Sequence, residues 1–106
     1  MSKHLFVVTT WAKDNRVAEL QRWYEEQHIP DLLAIPGIVS AQRYKLTPIK
    51  MPPSATAPDC ITIYEIHSED PLAVMREMGR RVDTGQIPFT SALDRDKTMA
   101  YIASEP

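Results

Sequence analysis

The sequence predicts an α+β domain with the element order βαββαβ, and three features carry that reading. Residues 5–10 form a run of apolar and β-branched side chains without alternation, as in a strand buried on both faces. Val17, Leu20, Tyr24 and His28 then recur at helical spacing. Further along, the β-branched and aromatic run of residues 60–67 is followed by Asp70 and Pro71, a residue pair suited to opening a helix. A chain of 106 residues has room for one domain, residues 1–106.

The first strand leads to a helix for which Asp14 is the expected cap. The apolar stripe continues through His28. Pro30 lacks a backbone donor and crowds the carbonyl four residues earlier, so a kink or restart is expected near Ile29. Pro36 and Gly37 end the helical stretch, and residues 38–46 read as a second strand with Arg43 and Tyr44 near its far end. Pro48, Pro52, Pro53 and Pro58, interleaved with Ser54 and Thr56, mark an exposed loop that is either idle or a lid. Residues 60–67 form the third strand, and the helix opened by Asp70 ends near Thr84 and Gly85. Residues 97–103 form the last strand, reached through Ile87, Pro88 and Phe89.

This order is the split arrangement of a ferredoxin-like fold: a four-stranded antiparallel sheet with both helices on one face. Because the first strand is apolar on both faces, the bare face needs a cover, and a second copy of the chain is the expected partner. The net charge of −2, with Lys and Arg scattered, provides no basic field for nucleic acid. No apolar stretch approaches the length of a membrane span and the N-terminus has no leader pattern, so a cytoplasmic protein is expected. Cys60, the one cysteine, reads as a buried structural thiol in a reducing compartment. His4, His28 and His67 fall in separate elements without ligand spacing, and the three glycines form no phosphate loop. Neither a metal nor another cofactor is expected.

Trp23-Tyr24 is followed by His28-Ile29-Pro30-Asp31-Leu32-Leu33, Pro36-Gly37 and Ala41-Gln42-Arg43-Tyr44. Tyr64-Glu65-Ile66, Asp70-Pro71, Thr84-Gly85 and Ala92-Leu93-Asp94 come later. In order and spacing these segments resemble the dimeric α+β barrel superfamily, and within it the small EthD-like and REDY-like proteins, the latter encoded in prodiginine-type biosynthetic pathways. The resemblance covers nearly the whole chain. It implies two chains pairing into a dimeric α+β barrel, with a ligand pocket in each subunit between sheet and helices. Tyr24 and His28 would project into that pocket. The superfamily serves cofactor-free oxygenation, polyketide cyclisation, dehydration, isomerisation, decarboxylation, haem chemistry and plain binding, so the fold alone does not choose a reaction.

His28 suits proton transfer near neutral pH, and Tyr24, one turn earlier on the same face, suits orienting it or donating to an oxyanion. The alternative is that both rings close the helix–sheet seam with their polar atoms satisfied by backbone. Lys3-His4-Leu5 resembles a segment of some plant polyketide cyclases of this superfamily that use the histidine in the pocket; a solvated terminal His4 is the alternative. Those cyclases also carry a tyrosine and a histidine in the second helical region, where this chain has Met75, Met78, Arg80 and Arg81. Trp11 and Trp23 offer flat walls for an aromatic ligand, with Tyr64 and Phe89 as neighbours, although core packing explains them equally well. Arg43 suits a carboxylate or phenolate, or else pairs with Glu65 on the next strand. His67 reads as a surface residue.

The functional expectation is a cofactor-free acid-base enzyme of lyase, dehydratase, cyclase or isomerase type, acting on a hydrophobic aromatic or polyketide-like small molecule. His28 and Tyr24 are its candidate catalytic residues, and Trp11, Trp23, Arg43, Tyr64, His4 and Phe89 its candidate binding residues. The alternatives are a cofactor-independent monooxygenase of phenols and a non-catalytic dimeric binding protein.

Overall fold

The computed structural model describes residues 2–106. Strand β1 (Lys3–Thr10) is central. It pairs antiparallel with β3 (Cys60–His67) on one side and with β4 (Met99–Ala103) on the other, and β2 (Ile38–Tyr44) pairs antiparallel with β3 at the edge. The sheet order β2-β3-β1-β4 is the antiparallel ferredoxin-like arrangement that the element order predicts. Among the described residues, no helix is long and apolar enough to cross a membrane.

Asp14 does not cap the first helix. Asp14 and Asn15 take positive φ, 55° and 59°, inside a short 3₁₀ turn (Lys13–Asn15), a conformation that Asp and Asn tolerate better than most side chains. The turn redirects the chain, and α1 (Val17–Trp23) starts after Arg16 without a side-chain cap. The disturbance expected near Pro30 is present as a π-helical turn (Tyr24–His28), after which α2 (Ile29–Leu33) resumes. In the wide turn the Ile29 N–H reaches back five residues to the Tyr24 carbonyl. The three segments form one continuous rod.

That turn explains the buried stripe. Leu20, Tyr24, His28 and Leu32 are all buried at four-residue steps. In a regular α-helix each such step drifts about 40°, so three steps would rotate Leu32 about 120° from Leu20. One widened turn takes up most of the drift and keeps all four side chains over the sheet.

Helix α3 (Pro71–Asp83) begins as the sequence indicates, with Asp70 Oδ1 accepting the Ala73 N–H at 3.1 Å, and ends before Gly85 at φ 81°. Leu32, Ile35 and Val74 pack with Phe6, Ile38, Tyr64 and Ile66, so both helical layers cover one sheet face. Gly37 makes the tight entry to β2. Its φ is +100°, and a Cβ there would lie 3.0 Å from Val74 Cγ2. Two strands are shorter than expected. β2 stops at Tyr44, and β4 starts at Met99 because the Asp94 side chain and carbonyl hold Lys97 and Thr98 in a turn.

The alternation along β3 is inverted relative to an ordinary amphipathic strand. Cys60, Thr62, Tyr64 and Ile66 are buried toward the helices, whereas Ile61 and Ile63 point away from them. Ile63 sits opposite Val7, which in turn sits opposite Tyr101; with Leu5 and Met99 these make the uncovered face apolar.

Candidate functional site

Polar side chains gather at the end of the inner sheet face where β1 finishes and β3 begins. Thr10 and Cys60 are register partners, and Thr10 Oγ1 lies 3.1 Å from Cys60 Sγ. Tyr24 reaches down from the helix and donates its hydroxyl to Thr10 Oγ1 at 3.2 Å. Thr62 and Tyr64 follow on β3, pointing the same way. Above them, Arg43 folds back from β2 with its Cζ 5.1 Å from the centre of the Tyr24 ring. Its Nη2 donates to the Gln21 side-chain oxygen, and its Nη1 contacts Glu25 Oε1 at 3.4 Å. The cleft beside Arg43 has a volume of about 520 Å³. Val17 and Gln21 line it from the helix, Arg43, Tyr44 and Lys45 from the end of β2, and Asp59 and Cys60 from the start of β3.

Burial keeps the cluster's phenols protonated. The Tyr24 hydroxyl is pushed up to about 12 by desolvation, which outweighs its bond to Thr10, and Tyr64 is raised further by burial and by the neighbouring Tyr24 and Cys60. At neutral pH both are hydrogen-bond donors and neither is a base. Arg43 supplies the fixed positive charge.

His28 lies on the other side of Tyr24. Its ring stacks on Trp23, with centroids 4.2 Å apart and planes at 19°, meets the Tyr24 ring edge-on at 5.7 Å, and has Phe89 at 5.6 Å. Desolvation lowers its pKa to about 4, against a smaller opposing pull from Asp31, so the imidazole is neutral at physiological pH. Its Nδ1 is buried without a partner. Tyr24 and His28 thus touch through their rings, while the Tyr24 hydroxyl is committed to Thr10.

The remaining sequence candidates divide between these places and others. Arg43 and Tyr64 join the polar cluster. Trp23 and Phe89 join the aromatic one, where the Trp23 indole donates to the Pro88 carbonyl at 3.2 Å and Arg95 stacks on Phe89 at 4.4 Å. Trp11 is half-buried just past β1, its indole N–H without a partner. His4 is at the opposite end of β1, about 20 Å from Thr10 at the usual strand rise, with Nδ1 2.6 Å from Ser104 Oγ. Arg43 and Glu65 do not pair. They face opposite sides of the sheet, and Glu65 instead contacts His67 and Lys3. Thr10, Gln21 and Thr62 are absent from the sequence reading, because a threonine in a strand carries no signal beyond β propensity. The signal that was available is the alternation at the start of β3, which turns Cys60, Thr62 and Tyr64 inward and Ile61 and Ile63 outward.

Among the described residues, no three His, Cys, Asp or Glu side chains are grouped as metal ligands. No family model matches the sequence, and no curated protein matches it at a significant level. Solved structures do match. An ethyl tert-butyl ether D (EthD) family protein from Bacillus halodurans C-125 superposes with a TM-score of 0.62 at 16% identity, covering 100% of both chains. The fold is that of the EthD-like proteins. A candidate monooxygenase from Shewanella loihica PV-4 gives 0.64 at 16% identity over 100% of this chain and 97% of that one. An EthD-like protein from Ralstonia eutropha JMP134 gives 0.58 at 14% identity over 98% and 93%.

Proposed function

We propose that this chain is a cofactor-free enzyme acting on a hydrophobic aromatic or polyketide-like small molecule bound in the cleft beside Arg43. The reaction is of lyase, dehydratase, cyclase or isomerase type and passes through an enolate-like or phenolate-like anion. The observation that carries this reading is the half-buried Arg43 guanidinium, held over Tyr24 beside the cleft and close to protonated tyrosine hydroxyls. A fixed cation and preorganised donors in a water-poor setting stabilise negative charge as it develops on a substrate. His28 stands across the Tyr24 ring and does not line the cleft, so the substrate proton passes to water at the open side of the cleft and returns from there.

The test is hydrogen–deuterium exchange at the acidic C–H of a panel of cyclic 1,3-diketones and polyketide-like phenols, followed by NMR in deuterated buffer. Exchange accelerated by the wild-type protein and reduced at least tenfold in Arg43→Gln is the expected result, whereas a tenfold loss in His28→Asn would move the base to the far side of Tyr24. No acceleration with any ligand that binds would favour a non-catalytic carrier. The cofactor-independent monooxygenase is a second reading, supported by the candidate monooxygenase of the same fold. The same anion would then reduce dioxygen, and oxygen consumption with an electron-rich phenol distinguishes the two reactions.

The partner in this reading is a second copy of the chain. Leu5, Val7, Ile61, Ile63, Met99 and Tyr101 form the apolar face opposite the helices, with Met99 46% and Tyr101 55% exposed. Light scattering should give twice the chain mass, and Ile63→Lys should give the single-chain mass.

A further inference from the structure

Three polar atoms on the inner face of β2 and β3 have no well-aligned partner within the protein. Thr62 is fully buried and Tyr64 is 1% exposed; neither Thr62 Oγ1 nor the Tyr64 hydroxyl has a partner at full hydrogen-bond geometry, although Thr62 lies near enough to the Tyr24 hydroxyl to ease its ionisation, and Arg43 Nε is unmatched as well. They are neighbours. Arg43 is directly opposite Thr62 in the β2–β3 register, and Tyr64 follows two residues later on the same face. Around them, the Tyr24 hydroxyl donates to Thr10, and one N–H of each Arg43 terminal nitrogen is directed to Glu25 or Gln21. All three unmatched groups can donate, and the arginine can only donate. Buried donors left open at adjacent positions call for an acceptor from outside the chain.

We propose that Thr62 Oγ1, the Tyr64 hydroxyl and Arg43 Nε together hold a single ligand oxygen, that of a phenol or enol bound as its anion. This deepens the function proposed above and rests on it for the position of the ligand. A single oxygen fits because the three donors come from three different side chains, and a phenolate or enolate oxygen has lone pairs enough to accept from all of them. The guanidinium charge favours the anion over the neutral hydroxyl, and the displaced proton leaves to solvent. Thr62 and Tyr64, which do not themselves line the cleft, would then be binding residues that read an oxygen reaching past the guanidinium, while the ring stays in the cleft that Arg43 lines.

The experiment uses 4-nitrophenol, whose absorbance reports its ionisation, and nitrobenzene, which has the same ring without the oxygen. The intact protein should bind nitrophenolate about tenfold more tightly than neutral nitrophenol, lowering the bound phenol's pKa by about one unit. Thr62→Val and Tyr64→Phe, both close in shape to the residues they replace, should each remove at least half of that shift and leave nitrobenzene affinity unchanged. A wild-type protein that binds nitrobenzene yet shows no preference for the phenolate would overturn the three-donor site and leave the proposed function standing. A shift that survives both substitutions would do the same. If neither compound binds, the ligand cleft itself is misassigned and both proposals fall together.

Discussion

The two sides of Tyr24 are built on opposite terms. Toward His28 the ring meets other rings, with Trp23, His28 and Phe89 in mutual contact and little room for water. Toward the sheet its hydroxyl joins a cluster in which buried hydroxyls and a guanidinium nitrogen remain unmatched. One side is packing that secures the helix on the sheet. The other carries a cost in stability that a bound ligand would relieve. The comparison teaches that the histidine most visible in the sequence is embedded in a packed cluster, while the unmatched donors lie beneath Arg43.

The largest test of that contrast removes the ring both sides share. Tyr24→Ala should cost about 3–5 kcal/mol in chemical denaturation, as for other large aromatic truncations in a core. A cost below about 1 kcal/mol would mean that the two sides do not depend on one another through this ring. The next effect is specific to the aromatic side. His28 binds a proton less readily folded, with its pKa near 4, than unfolded, where it is near 6.5. Its contribution to stability is therefore fully present above about pH 6.5 and is lost as the pH falls toward 4, by about 2 kcal/mol at pH 5. Urea midpoints at pH 7.5 and 5 measure the loss, and His28→Leu should flatten that part of the profile. An equal slope in the variant would remove His28 as its cause.

The smallest effects should have the opposite sign. Thr62→Val and Tyr64→Phe each delete an unmatched buried hydroxyl with little change of shape, so each should stabilise the free protein by about 1 kcal/mol. A loss of stability in both would mean that internal water already satisfies these groups, and the contrast between the two sides would fade.

The sequence makes the fold legible where its residues have only one local use. The β3 bounds, the Asp70 cap and the Gly85 stop all follow from strand propensity, capping and positive φ. Asp14 misleads because Asp serves equally well as a cap and as a left-handed turn residue, and only the path of the chain decides between them. The candidate site is legible in part. Tyr24, Arg43 and Tyr64 stand out as residue types and converge, but Thr62 and Thr10 acquire their meaning only from the register that places them beneath an arginine on another strand. The separation of His28 from that cluster is likewise invisible in a spacing of four residues, which indicates a shared helix face but not where each ring tip points.

The widened turn at Tyr24–His28 also bears on how this chain can change in length. It amounts to one residue more than a regular helix would use, carried by a stretch in which Glu25, Glu26 and Gln27 are all exposed. Deleting one of those three, with Pro30→Ala to relieve the ring, would leave an ordinary α-helix whose buried positions fall at steps of four, three and four, still on one face. A one-residue deletion within β3 would instead turn every side chain beyond it to the opposite face of the sheet. Length variation can therefore be absorbed beside the candidate site in the helical layer, while the strands that carry Thr62 and Arg43 must keep their count.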